Sequence, residues 1–117
     1  MTYISDLIGI PYKQHGRDES GLDCFGLIWL IAHRLGKPIP DVQNKSFDPS
    51  LMKLADQMNV RKVEELEPGC VIEMVKDNRL HLGYAIDKDR MIHSTTNEGV
   101  IVETIGRYPI TGYWLIS

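Results

Sequence analysis

From Cys24 to Leu35 the apolar residues Ile28, Ile31 and Leu35 recur at helical spacing, and Gly36 and Pro38 close the run after His33 and Arg34 in its last turn. Asp23 is the natural N-cap of that helix, which puts Cys24 at the first helical position. A shorter helix is predicted over residues 50–58, with Leu51, Leu54, Ala55 and Met58 on one face and Pro49 at its start. Beyond Pro68 the period changes. Val71 to Val75, Leu80 to Asp87, Met91 to Thr96, Val100 to Ile105 and Gly112 to Ile116 are β-branched or aromatic runs, separated by turn signals such as Lys76-Asp77-Asn78 and Asn97-Glu98-Gly99. Residues 1–8 form a short mixed segment, Gly9, Pro11 and Gly16 mark a turn-rich stretch ending near Gly21, and residues 38–49 read as a connector. The expected fold class is α+β, with N-terminal helices packed on one face of a roughly five-stranded antiparallel meander.

Composition narrows the functional classes. A chain of 117 residues fits one domain, 1–117, able to bury about two-thirds of its unfolded surface. With 43% hydrophobic and 25% charged residues it has the make-up of a globular protein. A net charge of -3 gives no broad positive field, so nucleic acid is not an expected partner. Cys24 and Cys70 make neither a disulfide scaffold nor a CxxC motif. The segment from Met1 to Ile10 carries Asp6 and has no basic start or long apolar run, so neither a signal peptide nor a membrane span is expected.

The chemistry concentrates on three residues. A thiol attacks as its thiolate, and a helix N-terminus offers unpaired N–H groups and a positive dipole end to that anion. Cys24 has this position, although a cysteine opening an apolar helix is also an ordinary core residue. On the run from Leu80 to Asp87, His81 shares a face with the small residues Gly83 and Ala85, which leaves room for another element to approach a base. His93 adds a parity condition. Directly opposed residues in an antiparallel pair share a face, so His81 and His93 do so only if the loop between their strands has an odd length, as with Asp87-Lys88-Asp89. Gly83 then lies opposite His93, and the two histidines are diagonal neighbours about 7 to 8 Å apart at the backbone, within hydrogen-bonding reach. Cys24 as nucleophile, His81 as base and His93 as the group that orients the base form a consistent set.

Four stretches together resemble the NlpC/p60 family of papain-like cysteine peptidases. They are Gly9-Ile10-Pro11-Tyr12, Gly21-Leu22-Asp23-Cys24-Phe25-Gly26-Leu27, His81-Leu82-Gly83-Tyr84-Ala85-Ile86 and Met91-Ile92-His93-Ser94. Tyr12 stands twelve residues before Cys24, and His93 twelve after His81. The resemblance spans about residues 5–105 and implies a papain-like fold, with Cys24, His81 and His93 as the catalytic set and the Tyr12 hydroxyl near the oxyanion or substrate. It implies hydrolysis of peptidoglycan stem peptides, at the bond from the γ-carboxyl of D-glutamate to a diamino acid, through a thioester acyl-enzyme and with no cofactor. Arg17 and Asp23 are candidate substrate contacts, Arg17 toward a stem-peptide carboxylate. The chain departs from many members at Phe25, where they carry serine, and at Cys70, where they carry aspartate. Gly16-Arg17-Asp18 and the aromatic after the cysteine look most like versions attached to bacteriophage tail tips. Synthesis in the cytoplasm and delivery to the cell wall or periplasm by a phage tail or secretion machine follows as an expectation, with tail or secretion proteins as possible partners.

Other residues have plainer readings. His15 reads as an exposed loop histidine, and His33, about 180° around the helix from Cys24, as surface. Cys70 reads as a small buried hydrophobe, Trp29 and Trp114 as packing, and Arg17 with Asp18 as a loop ion pair. Two rival functions stay open on the sequence. Cys24, His81 and His93 are acceptable zinc ligands, and a tail or scaffold component can keep such a fold without hydrolysing anything.

Overall fold

The protein is described from a computed structural model, which covers residues 2–41 and 58–117. A short helix α1 (Thr2–Ser5) precedes a two-stranded ribbon, β1 (Arg17–Asp18) and β2 (Gly21–Leu22), which leads into the helix α2 (Cys24–Arg34). Strands β3 (Val60–Val63), β4 (Cys70–Lys76), β5 (Arg79–Ala85), β6 (Arg90–Thr95), β7 (Gly99–Thr104) and β8 (Ile110–Ile116) form one antiparallel sheet in the order β3-β8-β4-β5-β6-β7. The fold is α+β, as expected. The helix expected over 50–58 lies outside the described residues except for Met58.

The sheet is larger than the five expected strands and is not a simple meander. From β4 to β7 each strand pairs with the next, but β8 returns to the other edge of β4 and is itself flanked by β3. A bulge at Glu73/Met74 accommodates that return. The β4–β5 hairpin turns through Asp77 and Asn78, both at positive φ (54° and 62°), the left-handed pair that a two-residue turn requires.

Helix α2 starts where Asp23 predicts. The Asp23 carboxylate accepts from Gly26 N–H at 2.6 Å, and Gly36 at φ 72° ends the chain's helical course. Leu35 is the C-cap and is 37% exposed, so it does not extend the buried stripe. That stripe comprises Phe25, Leu27, Ile28, Ile31 and Ala32, which pack with Val71, Leu82, Tyr84, Ile92, Val100 and Trp114 of the sheet. Each fully buried large side chain contributes about 1.5–3 kcal/mol, so the helix and the N-terminus it presents are firmly seated. The opposite face carries a smaller cluster of Cys70, Ile72, Met74, Ala85 and Met91.

This arrangement corrects one inference about β5. The helix packs on the Leu82/Tyr84 side, not on the small-residue side of His81 and Gly83. The space beside Gly83 is taken by the Met74 and Met91 side chains and by His93 Cβ. Two flexible thioethers fill the gap that looked from the sequence like room for a helix.

Candidate active site

The loop before α2 is laid against the sheet by its backbone. Gly9 N–H donates to Val100 O and Val100 N–H to Ile10 O, each at 2.9 Å, while Leu22 N–H donates to Pro11 O at 3.0 Å. Ser94 Oγ fastens the same ribbon to β6 by donating to Leu22 O at 2.6 Å. These bonds bring Tyr12 near Cys24. Burial raises the Tyr12 pKa, with the acidic groups of Cys24 and Asp23 adding to the rise and Arg79 opposing it.

Cys24 opens α2, and its thiol meets β5. The paired β5–β6 ladder runs over Tyr84↔Ile92 and Ala85↔Met91, and just outside that stretch Leu82 N–H is directed at the Cys24 sulfur, together with the N–H groups of Phe25 and Cys24 itself. Burial dominates all the same and pushes the thiol up to about 12, with Asp23 adding to the rise and the three N–H groups opposing it. Cys70, at the start of β4, is fully buried, and burial raises its pKa too.

His81 and His93 share a face, in the register set by the three-residue hairpin loop. Ile86 N–H donates to Arg90 O at 2.9 Å, leaving Asp87, Lys88 and Asp89 as the loop. The rings meet edge to face with centroids 5.1 Å apart, and His81 Nε2 lies 2.8 Å from His93 Nδ1. His93 is wholly buried, and its other nitrogen, Nε2, lies 2.7 Å from Glu103 Oε1. Burial, then the charges of His93 and Lys76, lower the His81 pKa to about 3, with Asp77 opposing. Burial also lowers that of His93, against the raising effect of Glu103. At neutral pH the resting site therefore holds a neutral thiol and two neutral imidazoles.

Arg17 and Asp23 are brought together, but facing inward. Arg17 Nη1 lies 3.1 Å from Asp23 Oδ1 and donates to Gly16 O at 2.8 Å, its Nε lies 3.1 Å from Asp41 Oδ1, and its guanidinium stands 5.2 Å from the centre of the Phe25 ring. Asp23 Oδ2 accepts from His15 N–H at 2.8 Å. The two side chains are 9% and 5% exposed, and Arg17 Nη2 is buried with no hydrogen-bond partner among the described residues. As placed, both shape the loop and the start of α2 and offer no charged end to a ligand. Arg17 pairs with Asp23 and Asp41, and Asp18 instead binds Ser20. His33 is exposed and stacks on Trp29.

Glu103 is the residue that the sequence reading missed. Its signal was the same parity that relates the histidines, applied to the next hairpin: His93 opposes Ile101, and Glu103 lies one diagonal step further along β7 on the same face. The two histidines and Glu103 lie in a line, and among the described residues no group of three His, Cys, Asp or Glu side chains is placed to hold a metal ion. A separate hollow of about 340 Å³, lined by Leu35, Lys37, Arg61, Pro68 and Tyr84 among others, sits at the far end of α2 and is not lined by Tyr12, Cys24, His81, His93 or Glu103.

The fold agrees with comparisons to known proteins. The family model described as "NlpC/P60 family" matches residues 9–116. No curated protein sequence matches. Among solved structures, the chain is similar to the NlpC/p60 domain of the peptidoglycan hydrolase SagA (21% identity, TM-score 0.68, covering 99% of this chain and 93% of that one). It is also similar to an NlpC/P60 family protein from Bacillus cereus (24%, 0.72, 92% and 35%) and to the peptidoglycan hydrolase RipB from Mycobacterium tuberculosis (20%, 0.68, 97% and 60%). The chain thus spans nearly all of the SagA domain and about a third of the Bacillus protein.

Proposed function

The chain belongs to the NlpC/P60 family, and from that membership we propose that residues 1–117 act as a single catalytic domain, a cysteine peptidase that hydrolyses peptidoglycan stem peptides. The observation that carries this reading is the placement of a thiol at a helix N-terminus, against the N–H of Leu82, the residue that follows a histidine whose Nε2 is engaged by a second histidine at 2.8 Å.

In this mechanism the Cys24 proton passes to His81 Nδ1, the nitrogen that His93 leaves free, and the sulfur attacks the amide carbonyl. N–H groups at the start of α2 and the Tyr12 hydroxyl stabilise the oxyanion in this reading. Collapse expels the amine, which takes the proton from His81. Water, deprotonated by the same histidine, then cleaves the thioester to release a carboxylate and restore the thiol. The neighbours named as peptidoglycan hydrolases support the substrate class, and the resemblance in the four motifs supports the bond from the γ-carboxyl of D-glutamate to the diamino acid. The lead-in Gly16-Arg17-Asp18 and the aromatic Phe25 support delivery to the wall or periplasm by a bacteriophage tail or a secretion machine. Among the described residues no helix is long and apolar enough to cross a membrane.

The test is mass spectrometry of defined stem peptides incubated with wild-type protein and with Cys24→Ala. Wild type should release the fragment ending in D-glutamate, and Cys24→Ala should release none while keeping its circular dichroism spectrum. Cys70→Ser should retain substantial activity. Folded wild-type protein that leaves every stem peptide intact would favour the non-hydrolysing scaffold reading.

A further inference from the structure

The three groups His81, His93 and Glu103 are joined by two short bonds, of 2.8 Å and 2.7 Å, and each bond needs one hydrogen. A carboxylate oxygen can only accept. His93 Nε2 must therefore carry the hydrogen in its bond to Glu103. A neutral imidazole has one N–H, so His93 Nδ1 is left bare and must accept. His81 Nε2 must then donate, and its single hydrogen is used, leaving His81 Nδ1 bare. One carboxylate at the end of the line decides the position of both ring protons.

Glu103 is itself held. Arg107 Nε lies 3.3 Å from its Oε2, Tyr108 Oη donates to its Oε1 at 3.3 Å, and the Tyr108 ring packs against His93 with centroids 6.0 Å apart. The Glu103 side chain is 17% exposed, whereas His93 is fully buried, so the carboxylate closes the line at the border of solvent. Lys76 Nζ stands over the Tyr108 ring, 5.6 Å from its centre.

We propose that Glu103 is a positioning residue, acting through His93 to fix the protonated nitrogen of both histidines so that His81 presents a bare Nδ1 to Cys24. This rests on the reading of Cys24 and His81 as nucleophile and base. Without Glu103, His93 is free to carry its hydrogen on Nδ1. His81 Nε2 must then accept, its Nδ1 bears the hydrogen, and that nitrogen cannot take the thiol proton. The same carboxylate ends the hydrogen-bonded line whose other end becomes positive when His81 takes the proton.

The experiment uses two-bond ¹H–¹⁵N correlation of the histidine rings at pH 7 together with steady-state kinetics on a stem peptide, for wild type, Glu103→Leu and Glu103→Gln. In wild type both rings should show Nε2 protonated and Nδ1 bare. Glu103→Leu should mix the two tautomers and lower kcat by about 10- to 100-fold while changing KM by less than about twofold. Glu103→Gln keeps an oxygen that can accept from His93, so it should hold the wild-type tautomers with kcat between the other two. Protonated Nδ1 on either ring of wild type overturns the proposal, as do wild-type tautomers in Glu103→Leu or a Glu103→Gln variant as impaired as Glu103→Leu. If Glu103→Leu does not fold, the wild-type and Glu103→Gln spectra decide. Wild-type protein with the expected tautomers but no hydrolysis would overturn the peptidase reading and leave the assignment of the ring protons standing.

Discussion

Acidification should destabilise this protein well before its carboxylates titrate. Burial and the neighbouring charges hold the His81 pKa near 3, against an ordinary value of 6.5 in the unfolded chain. Because the folded value is the lower one, the unfolded state binds the extra proton, and stability rises with pH between about 3 and 6.5. At pH 5 the unfolded histidine is almost wholly protonated while folded His81 is not, a difference of about 1.5 pK units, or about 2 kcal/mol lost relative to pH 7.5. His93 is shifted in the same direction and adds to the loss. The carboxylates held below their usual range, Asp6, Asp18 and Asp87, start from an ordinary value of 3.8 and contribute only at lower pH. Urea unfolding at pH 7.5 and pH 5.0, with equal m-values, reads the difference as a shift in midpoint. His81→Gln should recover about 1 to 2 kcal/mol of it. Equal wild-type midpoints at the two pH values, or a His81→Gln variant with undiminished pH dependence, would refute the reasoning.

Two further outcomes follow from the same contacts. A Cβ on Gly26 would collide with the Gly16 carbonyl oxygen and crowd Arg17 Nη1 and Asp23 Oδ1 at 2.9 and 3.0 Å; Gly26→Ala should therefore lower stability by about 1–2 kcal/mol despite a helix-propensity gain of about 1 kcal/mol, and a thermal melt at or above wild type would contradict this. His93→Ala should reduce kcat far more than it raises KM, and His93→Asn should recover part of the loss because its amide oxygen can accept from His81 Nε2; kinetics on a defined stem peptide showing equal loss in both variants would remove His93 from the mechanism.

Local chemistry was the legible part of this sequence. Asp23 as N-cap and Cys24 at the first helical position follow from a capping preference that acts within three residues, and the structure has both. Five strands announced themselves by β-branched runs between turn signals. Strand β3 did not, because it is four residues long with Arg61 and Lys62 in its middle and, among the described residues, pairs with β8 alone. The insertion of β8 between β3 and β4 is a long-range pairing with no local signal. The packing side of β5 was misjudged for a related reason: small residues mark a space, but Met74 and Met91, distant in sequence, decide what fills it.

Parity carried further than any of these local signals, and it explains why the site is a diagonal line. Both hairpins flanking β6 have three-residue loops, 87–89 and 96–98, and an odd loop keeps residues of equal parity on one face across the turn. His81, His93 and Glu103 are all odd-numbered, so they emerge on one face from three successive strands. Each is displaced by two residues from the position directly opposite its neighbour: Ile101 opposes His93, and Tyr84↔Ile92 continued by one residue sets Gly83 against His93. Direct opposition would bring Cβ atoms to about 4.5–5.5 Å, too close for two rings to meet nitrogen to nitrogen, whereas the diagonal of about 7–8 Å fits one imidazole and its hydrogen bond. An even loop at either turn would have sent one of the three to the other face. Glu103 could therefore have been found by carrying the argument for His93 across one more hairpin.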